Sequence, residues 1–303
     1  SIMTRNPRQT GTLYVLAAYV IWGMLPIYWK ALKAIPAQEI LAHRVFWSFV
    51  FAALLLLSQK RWAEFKWTFQ STRNRWLCVL TAVILGSNRF IYIWAVNHDH
   101  IVDTSLGYFI NPLLTILLGL IFLRERLNVW QVVAFILATV GVAYLTLLQG
   151  RIPWIALSLA LTFGFYGLLR KTARIESLVG MTAEIGLLSP LALAYIFLLT
   201  ARGEGAAGTA SLLTHAQLMG AGLATAGPLL LVSRGVRRIK LSSAGFLQYL
   251  APSMQLLLGV LVYGEPFTRT HLISFGFIWV ALFLYSLSNT PLLNRRPLAT
   301  ASD

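Results

Sequence analysis

The sequence predicts an all-α membrane protein: ten transmembrane helices, arranged as two inverted five-helix repeats around a central cavity. Three observations predict it. Of the 303 residues, 57% are hydrophobic and only 12% charged, with a mean hydropathy of +0.70, and that charged share is below half that of an ordinary soluble domain. Apolar stretches close to the roughly 20 residues that cross a bilayer core of about 30 Å follow one another along the chain. Finally, one pattern is written twice. Pro112, Gly119 and Glu125 recur as Pro252, Gly259 and Glu265, each shifted by 140 residues, and Gly23 and Lys30 recur as Gly164 and Lys171 at a shift of 141.

The first repeat occupies residues 1–150. Its first span, 11–31, carries Tyr19, Trp22, Pro26 and Trp29 on one side, with Trp29 placed as a boundary anchor. Arg5 and Arg8 before this run imitate a signal peptide, but the aromatic residues, the proline and the spans that follow make it the first helix. Ser1 and Ile2 ahead of Met3 read as a cloning remnant. The second span, 38–58, stacks Glu39, His43 and Trp47 one helical turn apart, with Arg44 adjacent and turned elsewhere. The third, 76–96, holds Asn88, Arg89, Tyr92 and Trp94, and its Cys78 is the lone cysteine, so no internal disulfide is available. In the fourth, 104–123, Thr104, Tyr108, Asn111 and Thr115 put hydroxyls and an amide along one helix face, interrupted by Pro112. The fifth span is 128–148.

The second repeat, 151–290, echoes these features. The sixth span, 152–169, supplies Phe163, Phe165 and Tyr166 where the first has its aromatic residues. The seventh, 178–200, contains Glu184, a carboxylate whose charge Arg44 or Arg89 can neutralise. After an eighth at 213–233, the ninth at 242–262 places Gln248 and Gln255 at the repeats of Tyr108 and Thr115, with Tyr249 beside them and Pro252 inside. Proline removes a backbone donor and frees a carbonyl, so Pro112 and Pro252 are candidate hinges. The tenth span is 270–288, and the tail, 291–303, is expected to be a disordered cytoplasmic segment.

Most of the 25 basic residues fall on one side of this arrangement, leaving Lys30, Lys33, Arg151, Arg202 and Arg269 on the other. Placing both termini in the cytoplasm satisfies the positive-inside rule. It also accounts for the net charge of +15 without nucleic acid, because the basic residues punctuate apolar spans. Five spans per copy is an odd number, so the second copy enters from the opposite face. Inverted repeats typically enclose a substrate site near the midplane, which points to a secondary transporter. No nucleophile with its base and no carboxylate cluster argues for an enzyme; His98, Asp99, His100 and Asp103 read as a solvated external loop. No cofactor and no metal are implied. The expected partners are a small-molecule substrate and membrane lipid, and nothing outside the spans sets an oligomeric state, a monomer being compatible.

The runs IWGMLPIYWK (21–30), AQEILAHRVFWS (37–48), IWAVNHDHIVDTSLGYFINPLL (93–114) and FLQYLAPSMQLLLGVLVYGEP (246–266) carry a resemblance. The chain resembles the drug/metabolite transporter superfamily, more narrowly its EamA-type members of the RarD kind, and is similar to the YddG-type aromatic amino acid exporters. The resemblance implies a basket of ten helices around a central cavity, in the inner membrane of a bacterium, exporting amino acids, other metabolites or drugs; efflux of chloramphenicol-like drugs is the alternative to amino acid export. It places Trp22, Asn88, Tyr92, Tyr108, Asn111 and Gln248 on cavity-lining helices. That branch usually carries an aromatic residue after the asparagine; Arg89 stands there in this chain.

Together these readings give a concrete expectation. The protein exports small neutral solutes, aromatic and hydrophobic amino acids included, with Trp22, Asn88, Tyr92, Tyr108, Asn111, Tyr166, Gln248 and Tyr249 around the substrate. His43, Arg44, Arg89 and Glu184 are the candidates for ion pairing or proton coupling, and Pro112 and Pro252 for hinges.

Overall fold

Thirteen helices account for most of the residues that the computed structural model describes, which are 6–98, 101–148, 150, 152–264 and 266–289. In chain order they are α1 (Pro7–Ala31), α2 (Ala37–Ser58), α3 (Trp62–Thr68), α4 (Thr72–Asn97), α5 (Ile101–Phe122), α6 (Val129–Leu147), α7 (Trp154–Thr172), α8 (Ser177–Ala201), α9 (Ala206–Thr209), α10 (Leu212–Val236), α11 (Leu241–Gln248), α12 (Leu250–Leu261) and α13 (Arg269–Ser288). The described residues contain no strand. The expected tail at 291–303, Ser1 and Ile2, Asp99, His100 and Glu265 lie outside the described residues.

Polar side chains fix where several of these helices begin. Asn6 accepts from Arg8 N and Pro7 occupies the first turn of α1, where its missing N–H costs nothing. Asn128 and Gln131 form a reciprocal capping box on α6, Thr268 and His271 do the same on α13, and Ser211 caps α10. Glu176 caps α8 through Leu178 N and Val179 N. Two prolines then behave differently. α5 runs unbroken through Pro112, whereas the ninth predicted span is divided at Tyr249 into α11 and α12, one turn before Pro252. The missing N–H of Pro252 leaves the Gln248 carbonyl without its ladder donor, which is where the helix parts.

Among the described residues, eight segments are long and apolar enough to cross a membrane: α1, α2, residues 105–122 of α5, α6, α8, α10, α11 with α12, and α13. The spans expected at 76–96 and 152–169, on α4 and α7, are not among these eight; α7 ends in Arg170 and Lys171.

Arg8 donates to Oδ1 of Asn289 at 3.0 Å, so the start of α1 and the end of α13 share one face of the bundle, the terminal face. α1 packs on α10 and α12, α2 on α8 and α10, α4 on α7 and α8, α5 on α7 and α11, and α6 on α13. Apolar side chains fill the centre of each group. Trp22 of α1 lies where two of these clusters meet, one from α2, α4, α7, α8 and α10, the other from α1, α5, α7, α10, α11 and α12. In lipid, close backbone approach and interhelical hydrogen bonds hold helices together in place of a hydrophobic drive. Ser48 Oγ donating to the Gly222 carbonyl at 2.9 Å is such a tie between α2 and α10.

Candidate functional site

Aromatic residues of α1 and α7 face one another as the repeat pattern led one to expect. Tyr19 and Trp22 have ring centroids 5.3 Å apart, Trp22 meets Phe163 edge-on at 6.1 Å, and Phe163 continues to Tyr166 at 6.3 Å. Beside this run, Gln248 and Thr115 hydrogen-bond side chain to side chain at 3.2–3.3 Å, joining α11 to α5. Gln255 reaches the Trp22 carbonyl at 3.2 Å.

Basic residues gather nearer the opposite face. Arg44 Nε donates to Thr225 Oγ1 at 2.9 Å, and its guanidinium lies 4.6 Å from the centroid of the Trp29 ring. Arg89 of α4 is close enough to repel Arg44, the Tyr108 hydroxyl sits within the field of both arginines, and that of Tyr92 within the field of Arg44. Tyr108 is 47% exposed. At 1.5 Å per residue, Arg44, Arg89 and Tyr108 each lie about 10–12 Å from the far-face end of their helix, well inside a core about 30 Å thick.

Glu184 does not meet either of these arginines. Its partner is Arg170: Nη1 stands 3.3 Å from Glu184 Oε1, Nε and Nη2 reach Ser233 Oγ at 3.2 and 3.1 Å, and Nη2 also donates to the Ser177 carbonyl at 2.9 Å. Tyr166 donates to the other carboxylate oxygen at 3.0 Å. With Arg170 1% and Glu184 0% exposed, the charges are satisfied wholly inside the protein. The expected pairing fails because Arg170, one turn after Tyr166 on α7, is carried back into the bundle over Gly180, where a Cβ would stand 2.1 Å from Nη1.

The remaining predicted residues divide by what they touch. Asn88 is buried and spends its amide on the Leu159 carbonyl at 3.0 Å and Thr162 Oγ1 at 2.9 Å, tying α4 to α7. Tyr249 is fully buried and donates to the Phe109 carbonyl at 3.2 Å. Asn111 keeps a buried Oδ1 without a hydrogen-bond partner. His43 is buried with both ring nitrogens free of hydrogen bonds, 3.9 Å from Glu39, whose Oε1 caps α9 through Ala206 N at 2.6 Å. A cleft of about 720 Å³ opens at the terminal face between α1, α11 and α13, lined by Arg8, Thr12, Ser243 and Asn289 among others. It lies most of the length of α1 away from Arg44.

Three contributors escaped the sequence reading. Arg170 and Lys171 look like ordinary boundary charges, yet Lys171 Nζ is buried against the Val236 carbonyl at 2.8 Å and that of Ile239. Glu125 caps α11, accepting from Leu241 N at 2.7 Å and Ser242 N at 2.8 Å. For Glu125 and Lys171 the signal was present in their repetition, one with Gly119 and the other as the counterpart of Lys30; for Arg170 there was none beyond helix position.

Residues 9–147 match the EamA-like transporter family. An uncharacterized transporter of Vibrio cholerae is 44% identical over 281 residues, 92% of this chain and 92% of its own. Protein RarD of Escherichia coli is 41% identical over 283 residues, covering 93% of this chain and 96% of that one. The chain belongs to the EamA-like transporter family, in its RarD-type branch. A solved protein structure superimposes on 95% of this EamA-like transporter and 100% of its own chain with a TM-score of 0.72 at 18% identity, which shows a shared fold. As an EamA-like protein, the chain is a multi-pass membrane transporter.

Proposed function

We propose that this EamA-like transporter exports small neutral solutes, aromatic and hydrophobic amino acids among them, across a bacterial inner membrane by alternating access between two inverted five-helix repeats. One observation carries the reading. Under the 140-residue shift α1 corresponds to α7, α2 to α8, α4 to α10, α5 to α11–α12 and α6 to α13, and the packing partners exchange accordingly. α1 lies on α10 as α7 lies on α4, α2 on α10 as α8 on α4, α1 on α12 as α7 on α5, and α2–α8, α5–α11 and α6–α13 each mate with their own counterpart. Such pseudo-twofold packing supports α4 and α7 as crossing segments too, at about 39 and 28 Å for 26 and 19 residues.

Equivalent residues in unequal surroundings support a captured state that is open to one side. Lys171 reaches carbonyls at the end of α10, whereas its counterpart Lys30 lies over the Tyr263 ring, 2.9 Å from the centroid. In alternating access the two repeats exchange such conformations, moving the site from one face to the other. The cargo would sit between the Trp22–Phe163 contact and the polar groups of Tyr92, Tyr108, Asn111 and Gln248.

Counterflow in proteoliposomes tests the reading. Vesicles preloaded with unlabelled phenylalanine are expected to accumulate labelled phenylalanine transiently above equilibrium. A flat time course across a panel of aromatic and aliphatic amino acids would reject amino acids as cargo.

A further inference from the structure

Arginine inside a membrane-spanning helix is costly and is retained where something answers its charge. Arg170 shows what the chain supplies when the answer is internal, for Glu184, Ser177 and Ser233 together take up its donors. Arg44 and Arg89 receive nothing comparable. A guanidinium has five N–H donors; Arg44 places one of them, from Nε to Thr225, and no described carboxylate stands within ion-pairing distance of either arginine. The two cations nevertheless lie close enough to repel, with the Tyr108 hydroxyl in the field of both and that of Tyr92 in the field of Arg44. Arg44 is also held from behind. Thr225 takes its Nε and the Trp29 ring lies against the guanidinium, which leaves the two terminal nitrogens without a hydrogen-bond partner among the described residues.

We propose that Arg44 and Arg89, with the hydroxyls of Tyr92 and Tyr108, form an oxyanion subsite, and that the cargo carries a carboxylate or a comparably compact anionic group. This rests on the transport reading above and narrows its substrate class. Guanidinium groups bind carboxylates through paired, charge-assisted hydrogen bonds, and an anion placed between two of them also relieves their mutual repulsion. Asn88, next to Arg89 on α4, donates to Oγ1 of Thr162, the residue before Phe163 in the aromatic run, so Arg89 is carried alongside that run. An apolar wall thus adjoins the basic cluster. A zwitterionic amino acid satisfies both parts, its carboxylate on the arginines and its side chain along the rings. A neutral compound such as chloramphenicol satisfies only the second.

The test is a matched ligand series on the purified full-length protein, read as thermal stabilisation in detergent. Phenylalanine, phenylpyruvate and benzoate present a carboxylate, phenyl phosphate a phosphate, and phenylalaninamide, phenethylamine and chloramphenicol present no anion. Concentration-dependent stabilisation is expected from the anionic members and not from the others, with the carboxylate and phosphate arms telling which anion is preferred. R44Q and R89Q are each expected to weaken the apparent affinity by about ten-fold or more, the loss that accompanies removal of a charged hydrogen-bonding partner, while R44K and R89K retain part of it. The series on the unaltered protein stands even where a variant fails to fold. Equal stabilisation by phenylalaninamide and phenylalanine, no response to any member, or a response confined to added phosphatidylglycerol would each overturn the subsite. Binding is read without flux, so failure here is distinct from failure of transport. Anion binding without counterflow would keep the subsite and sink the transport reading, and counterflow indifferent to the carboxylate would do the reverse.

Discussion

Glu125 folds back over Gly119, its own helix neighbour: a Cβ at residue 119 would stand 2.8 Å from Glu125 Oε2. The room so left lets the carboxylate accept from Leu241 N, Ser242 N and, at 2.6 Å, Ser242 Oγ, the start of a helix in the other half of the chain. A negative charge on the unpaired N–H groups of a helix start is favourable both as a cap and against the helix dipole. E125A is therefore expected to lower stability by about 1–2 kcal/mol, the range for a lost N-cap, and E125Q by less. G119V should cost at least as much, because its side chain displaces the carboxylate and also meets Ser242 N, 3.0 Å from that Cβ, and the loss in the double variant should fall short of the sum. Thermal unfolding of the four proteins in detergent checks this; additive losses would separate the two residues.

The buried ion pair of α7 and α8 leads to a sharper contrast. Removing one partner of a buried pair strands the other charge at a cost of about 3–5 kcal/mol, whereas replacing both by apolar residues is often neutral. R170M and E184L alone are thus expected to collapse the yield of folded protein, and R170M/E184L to recover most of it. Size-exclusion profiles of the three variants decide. Recovery of folding in the double variant with a normal pH dependence of flux would also remove Glu184 from proton coupling.

Much of this architecture could be read from the chain because membrane spans announce themselves. The second, fifth and eighth spans were expected at 38–58, 128–148 and 213–233 and lie at Ala37–Ser58, Val129–Leu147 and Leu212–Val236, for Pro36, Asn128 and Ser211 mark where apolar runs begin. The division of the ninth at Tyr249 was not legible, since Pro112 in the equivalent position leaves α5 continuous; local sequence does not say which proline the surrounding packing tolerates. The site was legible in part. The 141-residue repeat set Trp22 and Phe163 in equivalent positions, but it could not tell that Asn88 is committed to the Leu159 carbonyl, or that Glu184 is claimed by Arg170. Both outcomes depend on contacts between helices, which period and composition do not encode.

Asn111 offers a test of function separable from stability. A buried amide oxygen without a hydrogen-bond partner contributes nothing to folding and invites an external donor. N111L is expected to shift stability by less than about 1 kcal/mol while slowing counterflow at least several-fold. N111L/Q248L should slow it further at some cost in stability, because Gln248 is tied to Thr115. Wild-type flux through N111L, measured in proteoliposomes at matched protein content, would take Asn111 out of the site.

Opposite insertion of the two repeats has a direct chemical readout. The native Cys78 is buried, so a C78A background leaves single introduced cysteines as the reporters. N6C and N289C flank the Arg8–Asn289 contact and are expected to react from the same side of sealed vesicles. Residue 152 opens the second repeat just ahead of α7 and is well exposed, so I152C is expected to react from the other side. The reasoning is geometric: α1 leaves the terminal face, and only an odd number of crossings before α7 brings that helix in from the opposite one. An even number would put position 152 beside position 6, and the halves would then be parallel. A membrane-impermeant maleimide, added before and after permeabilisation, distinguishes the two arrangements. Labelling of N6C and I152C from one side would dismantle the alternating-access reading, whatever solute the protein carries.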